Sequence, residues 1–475
     1  MYPLYDYDRR LVECVPSGRQ LKHARMEFYG FLCFNMVTFT DREWGTGKES
    51  PAFFAPAEYD PAQWIGVMAE AGMTGAILVA KHHDGFCLWP SRYTEHSVKN
   101  SPLGGGKADV VRDVAEECRK KRLKFGVYLS PWDMHEATYG QGKAYDDFFC
   151  GQLTELLTGY GPLFSVWFDG ACGEGPNGKR QVYDWERYYA LIRKYQPDAC
   201  ISVSGPDVRW CGNEAGCTRE SEWSVLPTAF YTPDEVAEKS QKEDGAAFRE
   251  KKIDMMGEDL GSRDFLKGAK GLRWYPSETD TSIRPGWFWH ESENDRVRDA
   301  DTLFDIWLRT VGGNSSLLLN VPPDRRGLFH ENDVKNLLAL GERIRAAFGV
   351  NLAEGAAFTA DHDDGIHTAD ALREDSWDAY FRTPDGENTA QITVALPREA
   401  EVRYIELKEH IPMSQRVERF AVDVRSRAGE WVEIAAGTTV GYRRILSVGP
   451  VLTDAVRVRI LDSRVCPVLS FIGVY

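Results

Sequence analysis

Residues 75–80 read GAILVA and residues 124–129 read KFGVYL, and between them residues 109–121 read DVVRDVAEECRKK. The outer runs are almost continuously apolar, as strands are when helices cover both faces of their sheet. The middle stretch has the amphipathic texture of a helix. Together they read as strand, helix, strand, the unit that builds a parallel sheet.

Working outward, the same alternation extends from about residue 27 to about residue 350. Candidate strands are Phe28–Met36, Gly75–Ala80, Lys124–Leu129, Leu163–Phe168, Ala199–Val203 and Ser316–Val321. Helix-like stretches at Pro61–Ala71, Asp109–Lys121, Tyr145–Tyr160, Asp184–Tyr195 and Asp299–Val311 separate them. Roughly eight such repeats over about 300 residues predict an α/β chain with a (β/α)8 TIM-like barrel rather than a doubly wound sheet. No GxGxxG or Walker-type glycine loop follows any of these strands, which counts against a nucleotide-binding sheet. Residues 228–270, dense in charge across 234–252, read as a loop excursion on the barrel. Beyond residue 350 the texture changes to alternating segments such as Ala400–Lys408, Arg419–Arg425, Trp431–Ala435 and Ala455–Ile460. Turn residues punctuate these at short intervals, the pattern of a C-terminal β-sandwich. The expected organisation is a catalytic barrel over residues 1–350 and a sandwich over residues 351–475.

Composition narrows the function. With 57 basic and 72 acidic residues the net charge is −15, which argues against nucleic-acid or anionic-membrane partners. Ten scattered cysteines form no repeated CxxC and no Cys/His frame, so they read as reduced thiols rather than a zinc or disulfide scaffold. No stretch approaches the ~18 apolar residues of a membrane span, and no secretory leader is visible at the start. The expected compartment is the cytoplasm as the sequence stands, or the periplasm or exterior if a leader was removed. Fourteen tryptophans are more than a surface carries comfortably, so several should line a pocket or a core.

In a barrel the site lies at the carboxyl ends of the strands. The residues there are acidic, imidazole-bearing and aromatic: Glu43-Trp44, Lys81-His82-His83-Asp84, Tyr128 to Trp132-Asp133, Trp167-Phe-Asp169-Gly170, Trp210 to Asn213-Glu214, and Trp287-Phe-Trp289-His290. Such a set suits a sugar. Carboxylates act as acid and nucleophile, His and Glu bond hydroxyls, and indoles pack against apolar sugar faces.

These residues carry a resemblance. The stretches Thr38–Gly45 (TFTDREWG), Lys81–Val98, Gly126–Asp133 (GVYLSPWD), Trp167–Gly170 (WFDG), Trp210–Trp223 (WCGNEAGCTRESEW) and Ile283–His290 (IRPGWFWH) resemble α-L-fucosidases of glycoside hydrolase family 29. The likeness is closer to the subfamily acting on α-1,3/1,4-linked fucose, and it continues at Leu407–Gln415 and Gly437–Leu446. It implies a retaining exo-α-L-fucosidase acting on Lewis-type glycans, with Asp169 as nucleophile and Glu214 as acid/base. Glu278, ahead of a strand expected around Trp287, is the rival acid, and Glu220 and Glu222 are weaker ones. By the same resemblance Glu43, Trp44, His82, His83, Tyr128, Trp210 and Trp287 surround the fucose. Fucosylated oligosaccharides or glycoconjugates are the expected partners, and no cofactor or metal ion is expected, since the reaction needs only water.

One departure stands out. Cys33 occupies the place of a histidine usual in the family's first strand, and Val37 that of a common asparagine. A thiol is a weak hydrogen-bond partner, and losing one hydroxyl contact costs about 1–3 kcal/mol. Two alternatives stay open beside the main reading: a broad-specificity α-L-fucosidase that includes α-1,2 links, and a weakly active fucose-binding protein.

Overall fold

In the computed structural model, which describes residues 3–243, 245–250 and 257–475, strand alternation sorts the barrel's side chains into two cores. Strand β1 (Phe28–Leu32) sends Phe28 and Leu32 outward and Tyr29 and Phe31 inward, all of them buried. The same split recurs on β2 (Gly75–Lys81), where Ala76, Leu78 and Ala80 join the outer core and Ile77 and Val79 the inner one. Outward residues meet the amphipathic helices Pro61–Glu70, Val110–Lys121 and Lys143–Gly159. Inward residues fill the barrel's centre.

The remaining barrel strands are β3 (Lys124–Leu129), β4 (Ser165–Phe168), β5 (Cys200–Val203) and β6 (Arg209–Trp210). After a short antiparallel pair, β7 (Val225–Pro227) and β8 (Leu272–Trp274), come β9 (Ser277–Ser282) and β10 (Ser315–Asn320). The eight parallel strands run in the order β5-β4-β3-β2-β1-β10-β9-β6. A parallel bridge between Ser202 and Val208 ties the two outer strands and closes the ring. The chain therefore adopts the expected (β/α)8-like barrel.

The differences from the sequence reading have local causes. The first strand stops at Leu32 rather than Met36, because the Asn35 side chain accepts a hydrogen bond from the Met36 N–H at 2.6 Å and caps a short helix, Met36–Thr40. Strand β9 reads SETDTS and is buried along its whole length, so a search for apolar runs passes over it. The stretch around Trp287 is loop, not strand. The 228–270 excursion carries helices Pro233–Lys239 and Ala246–Arg249, while residues 244 and 251–256 of it lie outside the described residues.

After helix Glu331–Phe348 the chain forms an antiparallel sheet of seven strands: β11 (Ala357–Ala360), β12 (Phe381–Arg382), β13 (Ala390–Glu409), β14 (Val417–Arg425), β15 (Trp431–Gly437), β16 (Arg444–Ser463) and β17 (Val468–Val474). Register shifts break the pairing of the two 20-residue strands, β13 and β16, between Ala395 and Ala400 and again between Val402 and Tyr404. Bulges of this kind bend long strands, and the sheet encloses one core around Ile392, Val394, Phe420 and Val458, as in a β-sandwich. It docks on the barrel through charge. Glu27 accepts from Tyr442 at 2.8 Å, pairs with Arg443 and lies 3.6 Å from Lys408.

Candidate active site

At the carboxyl ends of the strands, side chains from every barrel strand except β10 line a cavity of about 670 Å³, together with the loops that follow them. Phe31, Tyr128 and Trp167 make its aromatic floor, with ring centroids 5.3–5.8 Å apart. Trp287 meets Phe31 edge-on at 6.1 Å and forms one wall.

Asp169 follows β4, whose Ser165 and Trp167 point inward, so the two-residue period carries its carboxyl to the mouth of the barrel. One oxygen accepts the Ala171 N–H at 2.8 Å and the other accepts the Tyr128 hydroxyl at 2.7 Å. Burial pushes this carboxyl above its ordinary range, against the pull of those two donors and of His82. Glycine is required next. A Cβ at Gly170 would meet Ser240 Oγ and come within 2.6 Å of Val236 Cγ1, so the 228–270 excursion packs directly on the residue after Asp169. The excursion also supplies Ser240 and Gln241 to the cavity wall, which sequence reasoning did not find.

Glu214 sits on a tight turn held by Asn213. The Asn213 Oδ1 accepts the Ala215 and Cys217 N–H groups at 3.1 and 3.3 Å, and Gly216 takes a φ of +78°. The Thr281 hydroxyl donates to the Glu214 carbonyl at 2.7 Å, tying the turn to β9. The Glu214 carboxyl accepts the Trp287 indole N–H at 2.9 Å. Burial is the main force pushing it up to about 7; Trp287 pulls against this, and the charge of Asp169 adds to it. It can therefore hold a proton near neutrality beside an acceptor-only partner.

The rival acids stand elsewhere. Glu278 is also pushed up to about 7 by burial, but it lies outside the cavity, 1% exposed, where the Tyr29 hydroxyl and the Trp167 indole N–H donate to it. Glu222 is buried between two guanidinium groups. Despite the cost of burial, Arg209 and Arg219 hold its carboxyl below the ordinary range, so it stays charged. Glu220 does not line the cavity.

The remaining expected residues converge on the cavity. His82 and His83 lie beyond the end of β2 with ring centroids 4.1 Å apart. His83 Nδ1 is 2.7 Å from Ser130 Oγ, and its Nε2 is 3.7 Å from Asp169. Burial holds both imidazoles neutral, His83 pushed down to about 3 and His82 well below its ordinary value. A buried His82 Nδ1 has no hydrogen-bond partner among the described residues. Trp44 packs edge-on against His83 at 5.6 Å. Glu43 works as a bracket: it accepts the Trp287 and Phe288 N–H groups at 2.9 and 3.3 Å and bonds His290 at 2.8 Å. That bond is the main reason His290 rises to about 9, and it makes the pair an ion pair.

One further wall residue went unrecognised in the sequence. Asp280, two residues beyond Glu278 on β9, lines the cavity and accepts the Trp210 indole N–H at 2.9 Å. Burial and its carboxylate neighbours Glu214 and Glu278 push it well above the ordinary range. The period-2 signal that puts Glu278 inward would have found it. Cys33 lines the same cavity, its N–H donating to Asn320 at 3.2 Å. Burial, with Glu43, Asp169, Glu214 and Asp280 nearby, raises its thiol far above the usual value, so it is neutral and no nucleophile.

Known proteins resemble this chain. The family model for α-L-fucosidase matches residues 22–347. Alpha-L-fucosidase 1 of Arabidopsis thaliana is 37% identical over 469 residues, covering 97% of this chain and 87% of its own. The structure of a Ruminococcus gnavus GH29 fucosidase in complex with fucose superposes with a TM-score of 0.83 at 28% identity, covering 98% of this chain and 95% of that one. A glycoside hydrolase 29 family member from an unknown rumen bacterium gives a TM-score of 0.78 at 35% identity, with coverages of 97% and 77%. With the match to the family model spanning most of the barrel and the plant relative spanning nearly the whole chain, this protein belongs to the α-L-fucosidases, glycoside hydrolases of family 29.

Proposed function

We propose that this α-L-fucosidase is a retaining exo-enzyme that removes α-1,3/1,4-linked fucose from Lewis-type, N-acetylglucosamine-containing glycans. One observation carries the assignment of roles: Asp169 and Glu214 face a single cavity from environments that divide the chemistry. Burial raises both carboxyls, but Asp169 receives two hydrogen bonds that favour its charged form, whereas Glu214 receives one and rises to about 7.

In the first step an Asp169 oxygen bonds the anomeric carbon of fucose while the bond to the leaving sugar breaks. Glu214 gives its proton to the departing oxygen. In the second step Glu214, now a carboxylate, takes a proton from water as the water oxygen attacks the same carbon and the bond to Asp169 breaks. Two inversions return the original configuration. The neutral imidazoles of His82 and His83 do not compete with Glu214 as acids at neutral pH and are available to the sugar hydroxyls. Tyr128 braces the nucleophile, and Glu43, Trp44, Trp210 and Trp287 complete the sugar's surroundings. The linkage preference rests on the likeness of the Gly212–Gly216 loop to the acid loop of the α-1,3/1,4 subfamily.

Release of fucose from Lewis a trisaccharide and from 2′-fucosyllactose, followed side by side, tests the reading. Release from the Lewis sugar alone is expected. Equal release from both would give the chain a broad specificity. Release from neither, with retained fucose binding, would make it a binding protein in which Cys33 has replaced a needed hydroxyl partner.

A further inference from the structure

A second cavity, of about 490 Å³, opens on the other side of Glu214. Glu214 and Trp287 line both cavities, so together they form the partition between them. The acid has to touch the glycosidic oxygen, so the sugar that carries fucose lies next to Glu214, within reach of this cavity.

The wall there is cationic, although the chain as a whole carries a net charge of −15. Arg249, Arg284, Arg296 and Arg298 line it, and among the described residues Glu250 is the only carboxylate in the lining besides Glu214; Arg249 also lies 3.8 Å from Glu43. Arg284 is 1% exposed and doubly bonded to Asp333 at 2.9–3.0 Å, yet one of its Nη atoms is buried with no hydrogen-bond partner. Arg298 is half-buried and donates to the Thr281 hydroxyl at 2.8 Å. Arg296 is exposed, and neither Arg296 nor Arg298 makes an ion pair among the described residues. Asp333 balances Arg284, but retaining the partly desolvated guanidinium of Arg298 without a carboxylate among the described residues is costly unless an anion visits.

We propose that this cavity is the leaving-group subsite and that it takes a negatively charged substituent, a carboxylate or a sulfate ester, on the glycan from which fucose is cut. Guanidinium suits both anions, because its planar fork matches two oxygens of either group. The substituent contacts the enzyme in the ground state and as the bond breaks, drawing the aglycone against Trp287 and seating the glycosidic oxygen at Glu214. The inference rests on the Lewis-type reading above and sharpens it.

The test compares kcat/KM for Lewis a trisaccharide, its 3′-sulfated form and its sialylated form, in the wild type and in Arg296→Gln and Arg298→Gln. At low salt at least one anionic substrate should exceed the neutral one by about three- to tenfold. The arm that does so identifies sulfate or carboxylate as the source. That advantage should shrink in each variant and on raising the salt, whereas the neutral substrate should respond to salt little. Because Arg298 also braces Thr281, the ratio between substrates is the readout, and Arg296→Gln, at an exposed position, provides it without disturbing the Glu214 turn. If the neutral sugar is cleaved and both anionic forms are slower, or if the ratio ignores both substitutions, the inference falls and the Lewis-type reading stands. If no Lewis sugar is cleaved, both fall.

Discussion

The mouth and the floor of the barrel each hold a glutamate that desolvation pushes up to about 7, the half-buried Glu214 above and the buried Glu278 below. Glu214 meets a cavity, a charged neighbour and one indole N–H, while Glu278 meets the Tyr29 hydroxyl and the Trp167 indole N–H, with the His23 imidazole 3.8 Å away. Their acidities are alike because burial drives both. Their uses differ because a single tryptophan, Trp167, forms the cavity floor with its ring and seals Glu278 off with its N–H. An elevated carboxyl thus reports desolvation, and access to a reacting atom must be argued separately.

Replacing the mouth residues should break the pair most strongly. Asp169→Asn and Glu214→Gln should each lower kcat on Lewis a by about 10²–10⁴-fold. Released fucose measures the loss. Glu214→Gln alone should recover on an aryl fucoside whose leaving group needs no proton. Loss in Glu278→Gln with full activity in Glu214→Gln would invert the comparison.

A smaller effect comes from the indole that steadies Glu214. Glu214 acts protonated in the first step, so kcat/KM should fall as pH rises through about 7. The Trp287 hydrogen bond favours the charged form and lowers that value. Trp287→Phe should therefore move the alkaline limb of the pH profile upward, by up to about one unit. A limb that stays in place would mean that another group controls it.

The smallest effect on turnover belongs to the floor. Glu278→Gln should keep kcat within a few fold of wild type while changing how stability depends on pH. Glu278 has its folded value raised to about 7, above that of an unfolded chain. Its stabilising contribution is complete below the unfolded value and is lost as pH rises through about 7. Glutamine does not titrate. Between pH 5 and pH 8 the wild type should lose Tm relative to the variant in thermal melts; parallel curves would place the proton elsewhere.

Much of this was legible in the sequence, and what was not has physical reasons. The strands GAILVA and KFGVYL announce themselves because both faces are covered by apolar surface, and Asp169 follows from the end of such a strand. Strand β9 was invisible because its buried residues are Ser, Glu, Thr and Asp, most of them, such as Thr279 and Asp280, bonded inside the barrel rather than solvated. Strand β6 has only two residues, too short for any periodic signal. Asp280 was lost with β9, and Ser240 and Gln241 were lost because a charged, helix-prone excursion carries no mark of the wall it will face. Glu214 could be read only through family likeness, since its turn depends on Asn213 and on contacts with β9 that no local spacing encodes.

The loop that carries Glu214 is anchored at its other end by the sandwich. Arg444 donates to the Glu220 carbonyl at 2.9 Å, Thr438 bonds Ser221, and Gln415 accepts the Ser224 N–H at 2.8 Å. The barrel thus borrows part of its acid loop's scaffolding from a module more than 190 residues downstream. Anyone recombining such barrels with other accessory modules would find that the joint near residue 350 is the easy seam. The harder one is this non-covalent splice, and its constraint gives a chemical reason for the two halves to be inherited together.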